Sequence, residues 1–338
     1  MNRSLLLIAL LLATSASGSP LFENSELLEV KLSGPLSAII KNRKVRSEYP
    51  FTLSTGDDMI NLNVRIRGKS RIDLCRFPPL RLNFRGASIV DTIFSGQEKV
   101  KLVTHCKGNN DRTENYLLNE YTAYRIFNLI SDKSYRVRLL KITFEDTDGK
   151  TSNLDRPYFG FVIESGRELA KRLGGGPADI TRVRYSLLDS HQIALIYVFQ
   201  YLIANTDWAL VRMRSDESCC HNIDVMGVAG RLVPIPYDFD FSGLVNARYA
   251  APDPALNLQR VTQRRYRGYC KSSIESVNAA LGEIRALENE IMAVSRDVPA
   301  LDEGILNRRV LFLDRFFEEA KNAENLLRRF ERQCKGSD

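Results

Sequence analysis

The chain of 338 residues has only three histidines, one tryptophan and six cysteines. With so few histidines and no nucleophile-elbow pattern, a Ser-His-Asp hydrolase triad has no support. No two cysteines stand as C-x-x-C, and Cys219 and Cys220 are adjacent, a poor spacing for zinc. After the first twenty residues no apolar run reaches the ~18 residues of a spanning helix, so no transmembrane anchor is expected. Repeats and low-complexity tracts are missing too. Neither sign of charge dominates: 48 Lys and Arg stand against 41 Asp and Glu, a net +7. The excess is spread along the chain, which argues against nucleic acid, because such a footprint needs a clustered basic face. Apolar types at 44% and charged types at 26% are ordinary for a globular protein and exclude wholesale disorder. The length suits one large domain or two lobes, with enough chain for a sizeable core.

What is present begins with a leader. Residues 1–18 carry Arg3, an apolar run from Leu5 to Ala13, and small residues up to Gly18. That order is expected of a secretory signal peptide, cleaved after Ala16 or Gly18, which leaves a periplasmic or extracellular protein. Losing Arg3 lowers the net charge from +7 to +6. In an oxidising compartment Cys75, Cys106, Cys219, Cys220, Cys270 and Cys334 are expected to form disulfides, with the pairing open. A ring closed between neighbours is strained, so Cys219 and Cys220 are expected to reach different partners.

Residues 61–67 alternate apolar and polar as a half-buried strand does, and strand signals recur at 80–84 and 100–104. Asp111 and Glu114 resemble a capping box, with Leu117, Tyr121 and Tyr124 following at helical spacing. Two further strands are expected at 137–144 and 158–163. Beyond Glu164 the character changes: residues 189–204 are apolar nearly all round, the mark of a core helix, and 272–334 are rich in helix formers. The chain therefore divides into residues 19–165, rich in strands, and residues 166–338, mainly helical. Its class is α+β.

Two segments near the junction carry the chemistry. Asn205-Thr206-Asp207 follows the core helix, with His221-Asn222 after it, and Pro236-Tyr237-Asp238-Phe239-Asp240 ends an apolar strand at 232–235. A carboxylate at a helix end can take a proton from an attacking hydroxyl. An Asn carbonyl and Asp carboxylates are hard oxygen donors suited to Mg²⁺ or Mn²⁺ beside phosphates. Loop carboxylates next to apolar elements are unusual unless paired or metal-bound. A metal-dependent phosphohydrolase would use the same groups.

The order Asp, then Asn about 15 residues on, then Asp-Phe beyond a strand resembles the base, metal Asn and metal Asp of protein kinases. The standard signatures G-x-G-x-x-G, V-A-I-K and H-R-D are absent. The sequence is more similar to the spore coat protein H (CotH) kinase family, atypical and largely secreted kinases. The resemblance rests on Arg67-Gly68-Lys69-Ser70-Arg71, Tyr158 to Glu164, Asn205-Thr206-Asp207 with His221-Asn222, and Pro236 to Asp240, in family order over residues 60–245. It implies a bilobal protein-kinase-like fold, with a small sheet-rich N-lobe and a mainly helical C-lobe. It further implies binding of ATP with a divalent metal and phosphorylation of exported protein. Asp207 is then the general base, Asn222 and Asp238 the metal ligands, and Asp240 a second carboxylate. Gly68, Lys69 and Ser70 would cover the phosphates, and Glu164 would approach the adenine.

The chain departs from the family ahead of the second strand, where Phe77-Pro78-Pro79 and Arg81 stand in place of the usual lysines. Lys69, Arg81 and Lys101 are rival cations for the phosphates. An altered phosphate grip beside intact metal residues would suit a pseudokinase that binds or assembles partners without catalysis. The basic stretch 260–271, with Arg260, Arg264, Arg265, Arg267 and Lys271, is the expected surface for an acidic protein substrate. The sequence gives no oligomeric state.

Overall fold

The computed structural model describes residues 19–68, 71–106, 111–150, 154, 156–178, 183, 185–210, 219–270 and 272–336. The expected signal peptide (residues 1–18), Lys69, Ser70 and Lys271 lie outside these residues. Strands fill the first half: β1 (Leu28–Gly34), β2 (Tyr49–Thr55), β3 (Asp58–Ile66), β4 (Leu80–Asn83), β5 (Lys99–Val103), β6 (Val137–Asp146) and β7 (Tyr158–Ile163). Helices α1 (Leu36–Lys41), α2 (Arg71–Leu74) and α3 (Asp111–Ile130) interrupt them. Apolar residues at every second position make one face of each strand buriable. Val30 and Leu32, Phe51 and Leu53, Leu80 and Leu82, and Val100 and Leu102 meet in a common interior.

Among the described residues the seven strands close into a barrel in the order β1-β2-β3-β4-β5-β7-β6. Parallel pairing of β1 with β6, from Leu28 opposite Leu140 to Gly34 opposite Asp146, makes the closure. Gly160 on β7 permits the tight wall: a Cβ there would lie 2.6 Å from Ile142 Cδ1 and 3.0 Å from Val103 O. The α+β class stands, but this barrel overturns the expected bilobal protein-kinase-like fold, whose small lobe is an open sheet. The physical reason lies in β1 and β2. They cover the edges that β3 and β6 would otherwise expose, and a closed sheet has no edge to protect.

The second half holds α4 (Gly166–Arg172), α5 (Ser190–Leu202), and a small sheet of β8 (Gly176–Pro177), β9 (Ile223–Val228) and β10 (Arg231–Pro236). The helices α6 (Ile274–Ala286), α7 (Glu288–Asp297), α8 (Glu303–Ala320) and α9 (Ala323–Gln333) complete it. Residues Gln192 to Leu202 of α5 are all buried, as their apolar run requires. Pro234 and Pro236 suit β10 because it is an outer strand of its sheet, where a missing N–H is tolerated. A second core gathers α5, α6 and α8, and it also takes Tyr121 and Phe127 of α3 and Phe161 and Ile163 of β7. The two halves are therefore packed through α3 and β7. No described helix is long and apolar enough to cross a membrane.

Among the described residues three cysteine pairs stand at disulfide distance: Cys75 with Cys106, Cys270 with Cys334, and Cys219 with Cys220. The last corrects the expectation of separate partners. A cis peptide joins the two residues, and both sulfurs lie near Leu210 O, at 3.3 and 3.2 Å. Disulfides of this number suit an exported chain.

Candidate functional site

Between the outer face of β5, the middle of α3 and the segments that follow α5 and β10 lies a cavity of about 250 Å³. Asp207, Asn222, Asp238, Asp240, Lys101 and Gly68, which the sequence nominated, all line it. Arg81 and Glu164 do not. Lys69 and Ser70 lie outside the described residues.

Asp207 is set by the chain reversal after α5. Its N–H donates to Asn205 Oδ1 at 3.0 Å, and the indole of Trp208 donates to Asn205 O at 3.1 Å. Paired backbone bonds between Ala209 and His221, at 2.9 and 3.0 Å, bring the strand leading to β9 back alongside. The Asp207 carboxylate is then oriented from two sides. His221 Nε2 lies 2.8 Å from Oδ1, and Asn222 Nδ2 donates to Oδ2 at 3.0 Å and to the backbone oxygen at 2.8 Å. Asn222 has φ 52°, a left-handed conformation that Asn tolerates better than most residues. Asp238, directly after β10, has φ 61° and donates its N–H to Tyr124 Oη at 2.9 Å. Two side chains of one cleft thus sit on strained backbone, which is characteristic of functional sites.

The acidic side is held by an arginine that the sequence placed only inside a motif. Arg71, the first residue of α2, brings Nη2 to 2.8 Å from Asp240 Oδ2, 3.2 Å from Glu120 Oε2 and 3.4 Å from Asp238 Oδ1. Burial, reinforced by Asp240 and Asp238 against the pull of Arg71, pushes the Glu120 carboxyl up to about 8. Burial likewise raises Asp240, to about 6, although Arg71 opposes it. Arg71 itself loses water on burial, yet Glu120, Asp240 and Asp238 hold it well above the usual arginine value.

The opposite wall is cationic. Arg67 follows β3 and Lys101 projects from the outer face of β5; neither forms an ion pair with a described residue. Lys101 Nζ lies 5.3 Å from the ring centroids of both Tyr135 and Tyr237. Burial lowers both cations from their ordinary values, with the charge of Arg67 adding to it at Lys101 and that of Arg71 at Arg67. Half-buried charges without a counter-ion gain from an arriving anion. Among the rival cations, Lys101 is at the cleft. Arg81 is its cross-strand neighbour on β4, opposite Arg65 of β3, and does not line the cavity.

The arrangement does not fit the expected Mg²⁺ or Mn²⁺ at Asn222, Asp238 and Asp240. Both aspartates are directed at one guanidinium, which stands where the metal would; Asn222 donates its amide nitrogen to Asp207, which leaves its carbonyl oxygen as a ligand atom but does not free the two carboxylates. Among the described residues no group of three or more His, Cys, Asp or Glu is arranged to hold a metal ion.

Other nominated residues have structural partners. Glu164 accepts from Arg172 Nε and Nη2 at 3.0 and 2.8 Å and from the Arg136 N–H at 3.1 Å, so it braces α4 against β6. Glu114, expected beside Asp111 in a capping box, reaches across to Arg156 Nη2 at 2.9 Å and the Phe159 N–H at 2.9 Å. The basic stretch 260–271 is not a continuous exposed face. Arg264 donates to Leu202 O at the end of α5 and to Phe312 O within α8, and the buried Arg267 donates to Thr206 O. Sequence reasoning named Arg67, Arg71 and Tyr124 only as parts of a motif or a helical stripe, without a role at the site, and did not name Glu120. The available signal was a glutamate on the helical stripe that also carries Leu117, Tyr121 and Tyr124, since a charge there must be paired.

The chain matches no protein-family model, and no curated protein resembles it significantly.

Proposed function

We propose that this cleft binds the phosphate groups of a nucleoside triphosphate and passes the terminal phosphoryl group to a hydroxyl of an exported protein. The observation that carries the reading is the convergence of Asp207, held by His221 and Asn222, with the cations Arg67 and Lys101 on one cavity. The ordered motifs that resemble the CotH kinases support it; the reading concerns chemistry, not the protein-kinase fold. A cavity of about 250 Å³ suits the phosphates better than a whole nucleotide, whose base would lie at the opening. In the transfer, the acceptor oxygen forms a bond to the γ-phosphorus as the bridging P–O bond breaks. Asp207 takes the hydroxyl proton, and the nucleoside diphosphate leaves. Such a step needs positioning and charge neutralisation rather than a covalent enzyme intermediate.

A second reading is favoured by the Arg71 cluster: a protein that binds phosphates without transferring them. Incubation of the oxidised protein with γ-labelled ATP and a mixture of exported proteins separates the two. Transfer is expected in the wild type and falls by roughly 10² or more in Asp207→Asn, with ATP affinity retained. Binding without transfer in the wild type supports the second reading. Transfer that survives Asp207→Asn removes Asp207 as the base.

A further inference from the structure

Three carboxylates from two parts of the chain meet at a single nitrogen. Glu120 comes from the middle of α3, Asp238 and Asp240 from the segment after β10, and all lie within 3.4 Å of Arg71 Nη2. A hard divalent cation bound by carboxylates occupies the centre of such a convergence, at about 2.0–2.6 Å from each oxygen. Two cations do not share one centre, so a metal and Arg71 exclude each other there. The guanidinium is well retained: its side chain is only 14% exposed, and charge-assisted bonds to buried carboxylates are the strong kind. Magnesium, by contrast, gives up its water reluctantly.

We propose that Arg71 is the resident cation of this cleft, so that a phosphate-bearing ligand binds in its metal-free form. The proposal rests on reading the cleft as a phosphate site. It adds the chemical form of the ligand, a free polyphosphate anion rather than its metal complex. The metal-free anion carries more negative charge than the complex, and the cleft meets it with fixed positive groups. Arg67 and Lys101 face the cavity without an ion-pair partner among the described residues. Arg71 neutralises the acidic wall that would otherwise repel the ligand. A metal would do both tasks in an ordinary nucleotide-dependent phosphotransferase; here the chain's own residues do them.

The test uses the full oxidised protein, with ATP and inorganic pyrophosphate as probes and calorimetry as the readout, in EDTA and in excess Mg²⁺. Separately, Mn²⁺ binding is followed by electron paramagnetic resonance without nucleotide. The expected affinity in EDTA is within about threefold of that in Mg²⁺, and the wild type shows no saturable Mn²⁺ binding. Arg71→Ala should weaken metal-free ATP by about tenfold or more, as expected for loss of a charged hydrogen-bonding group. It should also acquire a Mn²⁺ site, because Glu120, Asp238 and Asp240 are then released. Arg71→Lys, which keeps a cation there, should acquire none. ATP binding to the wild type that requires metal overturns the proposal while leaving the phosphate reading in place. Saturable Mn²⁺ binding by the wild type overturns it too. If ATP and pyrophosphate bind under neither condition, the phosphate reading and this proposal fall together. The wild-type measurements decide the matter even if Arg71→Ala does not fold.

Discussion

His105 lies between two flat rings, 4.9 Å from the centroid of Phe77 and 4.2 Å from that of Tyr158. Burial, with Arg156 adding to it, pushes its imidazole down to about 4 from an ordinary 6.5. A base depressed in the folded state contributes stability that is complete above its unfolded value and is lost as pH falls towards the folded one. Between pH 6.5 and 4 this residue alone should therefore cost the fold about 3 kcal/mol. In His105→Phe, which keeps a ring in the stack, that slope should disappear from urea unfolding measured across this range. An unchanged slope would assign the acid sensitivity to other groups. At this scale the sequence was most legible where polar residues interrupt apolar elements. Asp207, Asp238 and Asp240 follow elements that end at the cleft, Asn222 directly precedes β9, and all four do reach it. Glu164, Arg264 and Arg267 show the limit. A charged residue's type is visible in the sequence, whereas its partner is chosen by packing: Glu164 and Arg264 hold helices, and Arg267 holds the loop before Asp207.

Arg309 does for α8 what those residues do elsewhere. It is 2% exposed, and its guanidinium donates to Asn119 Oδ1 at 2.7 Å, Ser295 O at 3.1 Å, Val298 O at 2.7 Å and Pro299 O at 3.1 Å. One side chain thereby satisfies carbonyls at the end of α7 and ties them to α3. Arg309→Met should lower stability by about 3 kcal/mol, because buried acceptors lose their donor. The measurement is the midpoint of urea unfolding, with the slope unchanged. Elements read well from the sequence when their pattern was local: α5 is apolar on every side, and β3 and β7 carry compact apolar signals. β1 and β2 were not read as strands, although Leu28, Val30 and Leu32 alternate with Glu29 and Lys31 as the residues of β3 do. What the sequence does not show is where they pair. The pairing of β1 with β6 joins residues more than a hundred positions apart, as in Leu28 with Leu140, and no local pattern reports it.

For the whole molecule, the division into a strand-rich first half and a helical second half was legible because composition changes near Glu164. The closure of the first half was not. A strand, helix and strand order is the same in an open sheet and in a barrel, and only the long-range pairing of β1 decides between them. The cleft inherits this architecture: the barrel wall supplies Arg67 and Lys101, α3 supplies Glu120, and the loops of the helical half supply Asp207, Asn222 and Asp238. The central claim is that these groups form a phosphate site, and calorimetric titration of ATP into wild type, Lys101→Met and Arg81→Met tests it most directly. Saturable binding is expected in the wild type, weakened about tenfold or more in Lys101→Met and unchanged in Arg81→Met, which removes an equal charge one strand away, outside the cavity. Absence of binding in the wild type, or equal losses in the two variants, would contradict the claim.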